Sequence, residues 1–191
     1  MHLVVVAGVS GVGKTTFRSR LARTLYRGYA SSSLSGLALR YGLWRSYDES
    51  RRSFVLDGRG LCNALLSVLR QGGLILETHW VGFLGDCIPP TVRVSMYLLR
   101  ADPYDVYLRL MRRGWSCKRV AENVAAELLG TIAAEVKELL SSRVDIGVRE
   151  IVARNGSFVP RKGCCIDWLV EMDSARLERI FGIVEGGCGW V

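Results

Sequence analysis

The run Gly8-Val9-Ser10-Gly11-Val12-Gly13-Lys14-Thr15-Thr16 has the residue types and spacing of a phosphate-binding P-loop. The chemistry it offers is the cradling of a triphosphate. Its glycines let successive backbone N–H groups turn inward, so that the stretch from Gly11 through Val12, Gly13, Lys14 and Thr15 to Thr16 faces phosphate oxygens. Lys14 adds a point charge for the β- and γ-phosphates, and the Thr15 hydroxyl is placed to ligate Mg²⁺. The start of the following helix favours an anion. The alternative is a glycine-rich turn that merely joins a strand to a helix. All four fixed positions of the motif are filled, in a strand–loop–helix context, and that argues against it.

A second set of candidates lies further along. Glu77 follows the apolar run Leu74-Ile75-Leu76, where P-loop proteins place an acidic residue that orients the Mg²⁺ shell, usually through water. His79, two residues on, could position a water or an acceptor oxygen, or hold the acidic group. Read blandly, Glu77-Thr78-His79 is a strand exit. Arg112-Arg113-Gly114 and Arg100 are candidates for charge stabilisation, because phosphoryl transfer needs alignment and neutralisation more than covalent chemistry. The bland reading of Arg112-Arg113 is a solvated basic turn ended by Gly114. His2 reads as structural or exposed.

The elements that must position these residues are legible from periodicity. A strand is predicted over His2–Ala7 and a helix from Lys14 to about Arg27. Ser31 to Ser35 reads as a polar start that caps a short helix through Tyr41. Ser53 to Leu56 reads as extended, with Asp57 as N-cap of a helix to Arg70. Leu74-Ile75-Leu76 and Val92–Leu99 read as buried parallel strands, and Asp102-Pro103 opens a helix. Apolar residues from Val120 to Leu139 predict one long helix over 118–140. Val148–Ala153 is a candidate last strand, 155–163 a loop, and Cys165–Phe181 one or two terminal helices. Strands alternating with helices imply a parallel sheet covered on both faces, with ligands beyond the carboxyl ends of its strands. The expected fold is therefore α/β, a P-loop NTPase three-layer sandwich around a central parallel sheet of about five strands, as one domain over 1–191.

Composition bounds the rest. The 191 residues are 49% apolar, which excludes a disordered chain, and carry a net charge of +8. Of the 26 basic residues 22 are Arg and four are Lys. Phosphate-rich partners suit such a chain, nucleotides and RNA among them, although genome composition or a thermophilic source would also enrich Arg. No apolar run approaches a membrane span, and nothing at the start reads as a signal peptide, so a cytoplasmic protein with no membrane partner is expected. The six cysteines form no Cys-x-x-Cys pair, which argues against zinc. Reduced thiols are the default expectation, with an intracellular disulfide reserved for a hyperthermophile.

Taken together, several motifs resemble the nuclear-type adenylate kinases, the adenylate kinase isoenzyme six family of ribosome-assembly ATPases, and an archaeal member of it. They are Gly11-Val-Gly-Lys-Thr-Thr16, Tyr47-Asp48-Glu49 with Val55-Leu56-Asp57, Gly72-Gly73-Leu-Ile-Leu-Glu77-Thr78-His79, Leu98-Leu99-Arg100-Ala-Asp102, and Arg113-Gly114-Trp115 with Lys118, Glu122, Asn123 and Glu127. The resemblance covers about residues 3–140 and more faintly extends to 172. The family usually has Asp where this chain has Glu77. A longer carboxylate still reaches metal-bound water, in a different geometry.

The resemblance implies a nucleoside monophosphate kinase type of fold. Its monophosphate-binding region would lie at about 31–56, its lid at about 112–122 and its C-terminal helices at about 165–181. It implies ATP:AMP phosphotransfer with ATPase activity, using ATP and Mg²⁺ with AMP and ADP. Lys14, Glu77, His79 and Arg113 would be catalytic, Thr15 and Glu77 would serve the metal, and Arg113 would close over the donor nucleotide. It further implies a role in small ribosomal subunit maturation, with a platform ribosomal protein as partner and rRNA nearby. Two other readings stay open: an ATP-driven assembly switch whose hydrolysis a partner stimulates, and a kinase for another nucleoside monophosphate. The C-terminal fifth, with Cys164-Cys165 and a Gly-rich end, departs from the family.

Overall fold

The computed structural model describes residues 1–49, 53–143, 145–162 and 165–186. Arg51 and Arg52, Gly163 and Cys164, and residues 187–191 with Cys188 lie outside the described residues. In chain order the elements are β1 (His2–Ala7), α1 (Lys14–Thr24), β2 (Ala30–Ser33), α2 (Leu34–Tyr41), β3 (Trp44–Asp48), β4 (Ser53–Leu56), α3 (Gly58–Gln71), β5 (Leu74–Thr78) and α4 (Gly82–Cys87). They continue with β6 (Arg93–Ala101), α5 (Pro103–Arg112), α6 (Cys117–Leu128), α7 (Thr131–Ser142), β7 (Gly147–Arg154), β8 (Ser157–Pro160), α8 (Trp168–Glu171) and α9 (Ser174–Gly186).

Leu3 through Ala7 are all fully buried. Consecutive buried residues on a strand mean that both of its faces are covered, which is the signature of an inner parallel strand. β1 accordingly lies inside a six-stranded sheet of order β2-β5-β1-β6-β7-β8. The first five strands run parallel, and β8 turns back antiparallel to β7. α1 packs against β1, β2 and β5, while α6 packs on α5, α7 and α9. β3 and β4 stand apart as a separate antiparallel pair.

The structure departs from the sequence expectation at several points. The sheet has six strands rather than about five: Ala30–Ser33 joins its edge and Ser157–Pro160 pairs along β7 where a plain loop is expected, while Ser53–Leu56 pairs with β3 outside it. Ser31, Ser32 and Ser33 belong to the edge strand β2, and Ser33 then caps α2 by accepting from the Gly36 amide at 2.9 Å. Asp57 occupies the N-cap position of α3, yet its carboxylate is tied to Arg45 at 3.2 Å instead of capping. The single helix expected over 118–140 is two helices. Gly130, with φ of 66°, takes the left-handed conformation between them. The apolar period runs on across the break because both helices lay an apolar face on the same core, so periodicity alone could not find it.

Two chemical expectations also change. Cys62 and Cys87 form a disulfide that ties α3 to the end of α4. Reduced thiols are what the sequence predicts, and side-chain proximity in the fold, invisible as a spacing motif, overrides that default. Arg100, a candidate for the site, is instead buried in the core. It donates to Glu127 Oε1 at 2.8 Å and to the Glu127 and Ile166 carbonyls, with Glu150 Oε1 3.7 Å away. It lies at the end of β6, where the chain is covered by α6 and the segment before α8, so its charge is committed to the interior.

Candidate active site

The register of the central strands assembles the site. β1 and β5 run parallel with Val6 opposite Glu77 and Ala7 opposite Thr78. The P-loop therefore leaves β1 directly beside the strand end that carries Glu77-Thr78-His79, at the carboxyl edge of the sheet where ligands bind in open α/β folds. Gly8 makes this turn feasible. A Cβ built there would lie 2.6 Å from the Leu99 carbonyl oxygen, so only glycine lets the loop pass so close to β6.

Within the loop, Lys14 Nζ donates to the carbonyls of Gly8 and Val9 at 2.9 and 2.8 Å. Burial, helped by the Arg113 charge and opposed by Glu77 and Glu127, holds its pKa down at about 8. Gly11 and Val12 are buried, and Gly11 offers its carbonyl to Arg109 Nη1 at 3.1 Å. Gly13 precedes α1 with φ of 103°, and Thr15 and Thr16 on its first turn are exposed. The Ser10 amide donates to Asn123 Oδ1 at 3.1 Å, which ties the loop to α6.

Glu77 faces the loop. Its Oε1 accepts the Thr15 hydroxyl at 2.9 Å, and its Oε2 accepts Arg18 Nε at 2.9 Å. The Thr15 hydroxyl spends its proton on the carboxylate, so its oxygen lone pairs stay free. A hydroxyl oxygen backed by a carboxylate is a hard-oxygen donor set that fits Mg²⁺ carried on a triphosphate.

His79 follows the strand. The Thr78 hydroxyl accepts the Trp80 amide at 2.9 Å and turns the backbone there. His79 opens to solvent on one side, but desolvation, with the Lys14 charge adding to it, lowers its pKa, while Glu135 pulls it up. Glu135 in turn accepts the amides of Val81 and Gly82 at 3.1 and 3.4 Å. His79, Trp80, Glu135 and Arg119 line a cleft of about 760 Å³, whose far wall is Leu39, Trp44, Phe54, Val55 and Leu56. Trp44, Phe54 and Trp80 are each more than 40% exposed around it. Such flat, apolar, solvent-facing rings suit an aromatic base.

Of the residues singled out in the sequence, the P-loop, Glu77, His79 and Arg113 come together, since Lys14 feels the charges of both Glu77 and Arg113, and His79 feels that of Lys14. Arg113 is exposed just past α5, and Arg112 is exposed beside it. Arg100 is excluded by its burial. His2 is at the opposite end of β1, bonded to Tyr29 and Ser95. Sequence reading missed Arg18, Arg109, Arg119 and the part played by Trp80. Arg18 had a signal: it sits one turn beyond Lys14 and Thr15 on the same helix face. Arg119, whose guanidinium lies 4.2 Å over the Trp115 ring, had none beyond falling in the basic stretch after Arg113.

The chain is similar to known proteins along most of its length. A profile of the AAA domain matches residues 4–130. A protein of Saccharolobus solfataricus (strain ATCC 35092 / DSM 1617 / JCM 11322 / P2) named "Putative adenylate kinase" is 30% identical, over 95% of this chain and 96% of its own. The "Adenylate kinase isoenzyme 6 homolog FAP7" of Saccharomyces cerevisiae is 30% identical over 71% of this chain and 66% of its own. Among solved structures, a gluconokinase from Sinorhizobium meliloti 1021 covers 97% of this chain and 94% of its own, with 14% identity and a TM-score of 0.44.

Proposed function

We infer the reaction of a chain that belongs to the adenylate kinase isoenzyme 6 family. It is a P-loop phosphotransferase of adenylate kinase type, and the reaction we propose for it is transfer of the γ-phosphoryl group of ATP to AMP, giving two ADP. The observation that carries this reading is the juxtaposition of two half-sites. A P-loop with Lys14, Thr15 and Glu77 lies at one end, and an aromatic cleft large enough for a second nucleotide begins at His79.

In this reading the amides from Gly11 to Thr16 hold the triphosphate, and Lys14 leaves the Gly8 and Val9 carbonyls to meet its β- and γ-phosphates. Thr15 would hold Mg²⁺, with Glu77 supporting its water shell; the ion supplies charge neutralisation on the phosphates. Arg113 moves in over the donor as the lid region, about 112–122, closes. His79 orients the attacking oxygen. Its lowered pKa keeps the imidazole neutral near pH 7, so one ring nitrogen can accept a hydrogen bond from that oxygen. The cleft between α2, β4 and Trp80, within the 31–56 region and its facing wall, receives the acceptor base.

The test is ADP formation from ATP and Mg²⁺ against a panel of nucleoside monophosphates. Robust turnover with AMP supports the assignment. Turnover with a different monophosphate reassigns the acceptor, and turnover with none overturns the kinase reading. We further propose, from the family, ATP hydrolysis and a cytoplasmic role in small ribosomal subunit maturation beside rRNA. Hydrolysis without AMP, measured with and without the platform ribosomal protein, tests that part. Stimulation far above kinase turnover would make the partner-driven switch the main activity. Among the described residues no helix is long and apolar enough to cross a membrane.

A further inference from the structure

The Glu77 carboxylate is gripped from two sides, and only one side belongs to the phosphate loop. Thr15 supplies the first grip. The second comes from Arg18, which donates through Nε to Glu77 Oε2 at 2.9 Å and through Nη1 to Ser31 Oγ at 2.8 Å. The Arg18 guanidinium is thus held from two sides, by Glu77 of β5 and Ser31 of its neighbour β2. The side chains of Arg18 and Glu77 are only 17% and 13% exposed, so the pair is shielded from solvent competition.

We propose that Arg18 is a positioning residue that fixes the Glu77 carboxylate toward the metal's water shell, a role that rests on the Mg²⁺·nucleotide reading above. The physical need comes from glutamate itself. Compared with aspartate it has one more rotatable bond, and an unanchored carboxylate on that longer arm would spread over several rotamers. Each carboxylate oxygen carries two lone pairs. The Thr15 and Arg18 bonds use one on each oxygen and leave one on each that can accept from a metal-bound water. A guanidinium is suited to this because its planar fork sets direction as well as charge. A lysine at position 18 would keep the charge and lose the fork. Ser31 adds the outer anchor that stops the arginine from following the carboxylate.

The experiment is titration of ADP by calorimetry, with Mg²⁺ and with EDTA, into the wild-type protein and the Arg18→Ala, Arg18→Lys and Ser31→Ala variants, with Mg²⁺ activation curves in parallel. The wild-type protein is expected to gain about tenfold or more in ADP affinity from Mg²⁺. Both Arg18 variants are expected to lose at least fivefold of that gain, to bind ADP in EDTA within twofold of wild type, and to need more Mg²⁺ for half-maximal turnover. Ser31→Ala is expected to move the same way by about twofold to threefold. An Arg18→Ala protein with the wild-type metal gain and activation curve overturns the role, as does full restoration by Arg18→Lys, since charge alone would then suffice. If neither Arg18 variant folds, Ser31→Ala with unchanged metal dependence overturns it. A wild-type protein with no metal-dependent gain in ADP affinity instead overturns the nucleotide reading on which the role depends, so the two failures are distinguishable.

Discussion

Lys14, the residue proposed to meet the β- and γ-phosphates, sits in surroundings that disfavour its charge. Burial lowers its pKa to about 8 in the nucleotide-free protein. The alkaline limb of kcat/KM for ATP, which reports the free enzyme, should therefore fall through about pH 8, whereas a limb near pH 10 would contradict the buried lysine. The effect on stability has the opposite sense. Between about pH 8 and the unfolded value of 10.5 the unfolded chain holds the extra proton, so this group makes the native state more stable as pH rises through that window. Below it the cost of burying the charge is fully present. Lys14→Met removes both the charge and that cost. It should reduce AMP-dependent ADP production about 10²-fold or more, while a thermal melt at pH 7 shows a midpoint no lower than that of the wild-type protein. Unchanged turnover in this variant would remove Lys14 from the mechanism. Trp80 has a separate, graded effect. Trp80→Ala should raise the KM for AMP about tenfold, the worth of one base-stacking contact, and leave the KM for ATP nearly unchanged. Equal changes in both would place the ring outside the acceptor cleft.

Among the elements, α6 does more than its apolar period shows. Asn123 holds the Ser10 amide of the P-loop, and one turn further on Glu127 holds Arg100, the Ala101 amide and the Trp168 indole. One helix thus links the phosphate loop to the end of β6 and to the C-terminal segment. Burial pushes the Glu127 pKa up, and Arg100 offsets that push most. The guanidinium serves two buried carboxylates, since Glu150 also faces it while accepting the Ile166 amide. Glu150 Oε2 has no protein partner among the described residues. Arg100→Met should therefore cost about 3–5 kcal/mol in urea unfolding, because it strands Glu127 and Glu150 together in the core. Glu150→Gln should cost less than about 1 kcal/mol, as it removes a buried negative charge that one arginine already shares. A reversed order of the two would show that Arg100 does not compensate both groups. The helical spacing of Val120, Val124 and Leu128 was readable in the sequence. The commitment of Arg100 to this helix was not, since that contact joins residues 27 apart in the chain.

For the whole molecule, the Cys62–Cys87 disulfide closes a loop of 25 residues that contains β5, His79 and Trp80. Cross-linking such a loop restricts the unfolded chain by about 3 kcal/mol. Cys62→Ser should lower the melting midpoint by roughly 10 °C and leave turnover at moderate temperature close to that of the disulfide-bonded protein. Loss of activity without loss of stability would instead mean that the bond shapes the cleft. By itself the sequence determined the phosphate loop, the strand that feeds it, the acidic residue near the end of β5 with the histidine just past it, and the parallel α/β plan. These are local patterns: a glycine spacing, an apolar run, a change of period. Tertiary structure alone decided which of several arginines faces the site, where the long apolar helix breaks, which cysteines meet, and that Arg18 grips Glu77. Each of those depends on the packing of segments far apart in the chain, and in a short-range pattern one arginine looks like another until the fold gives it a carboxylate.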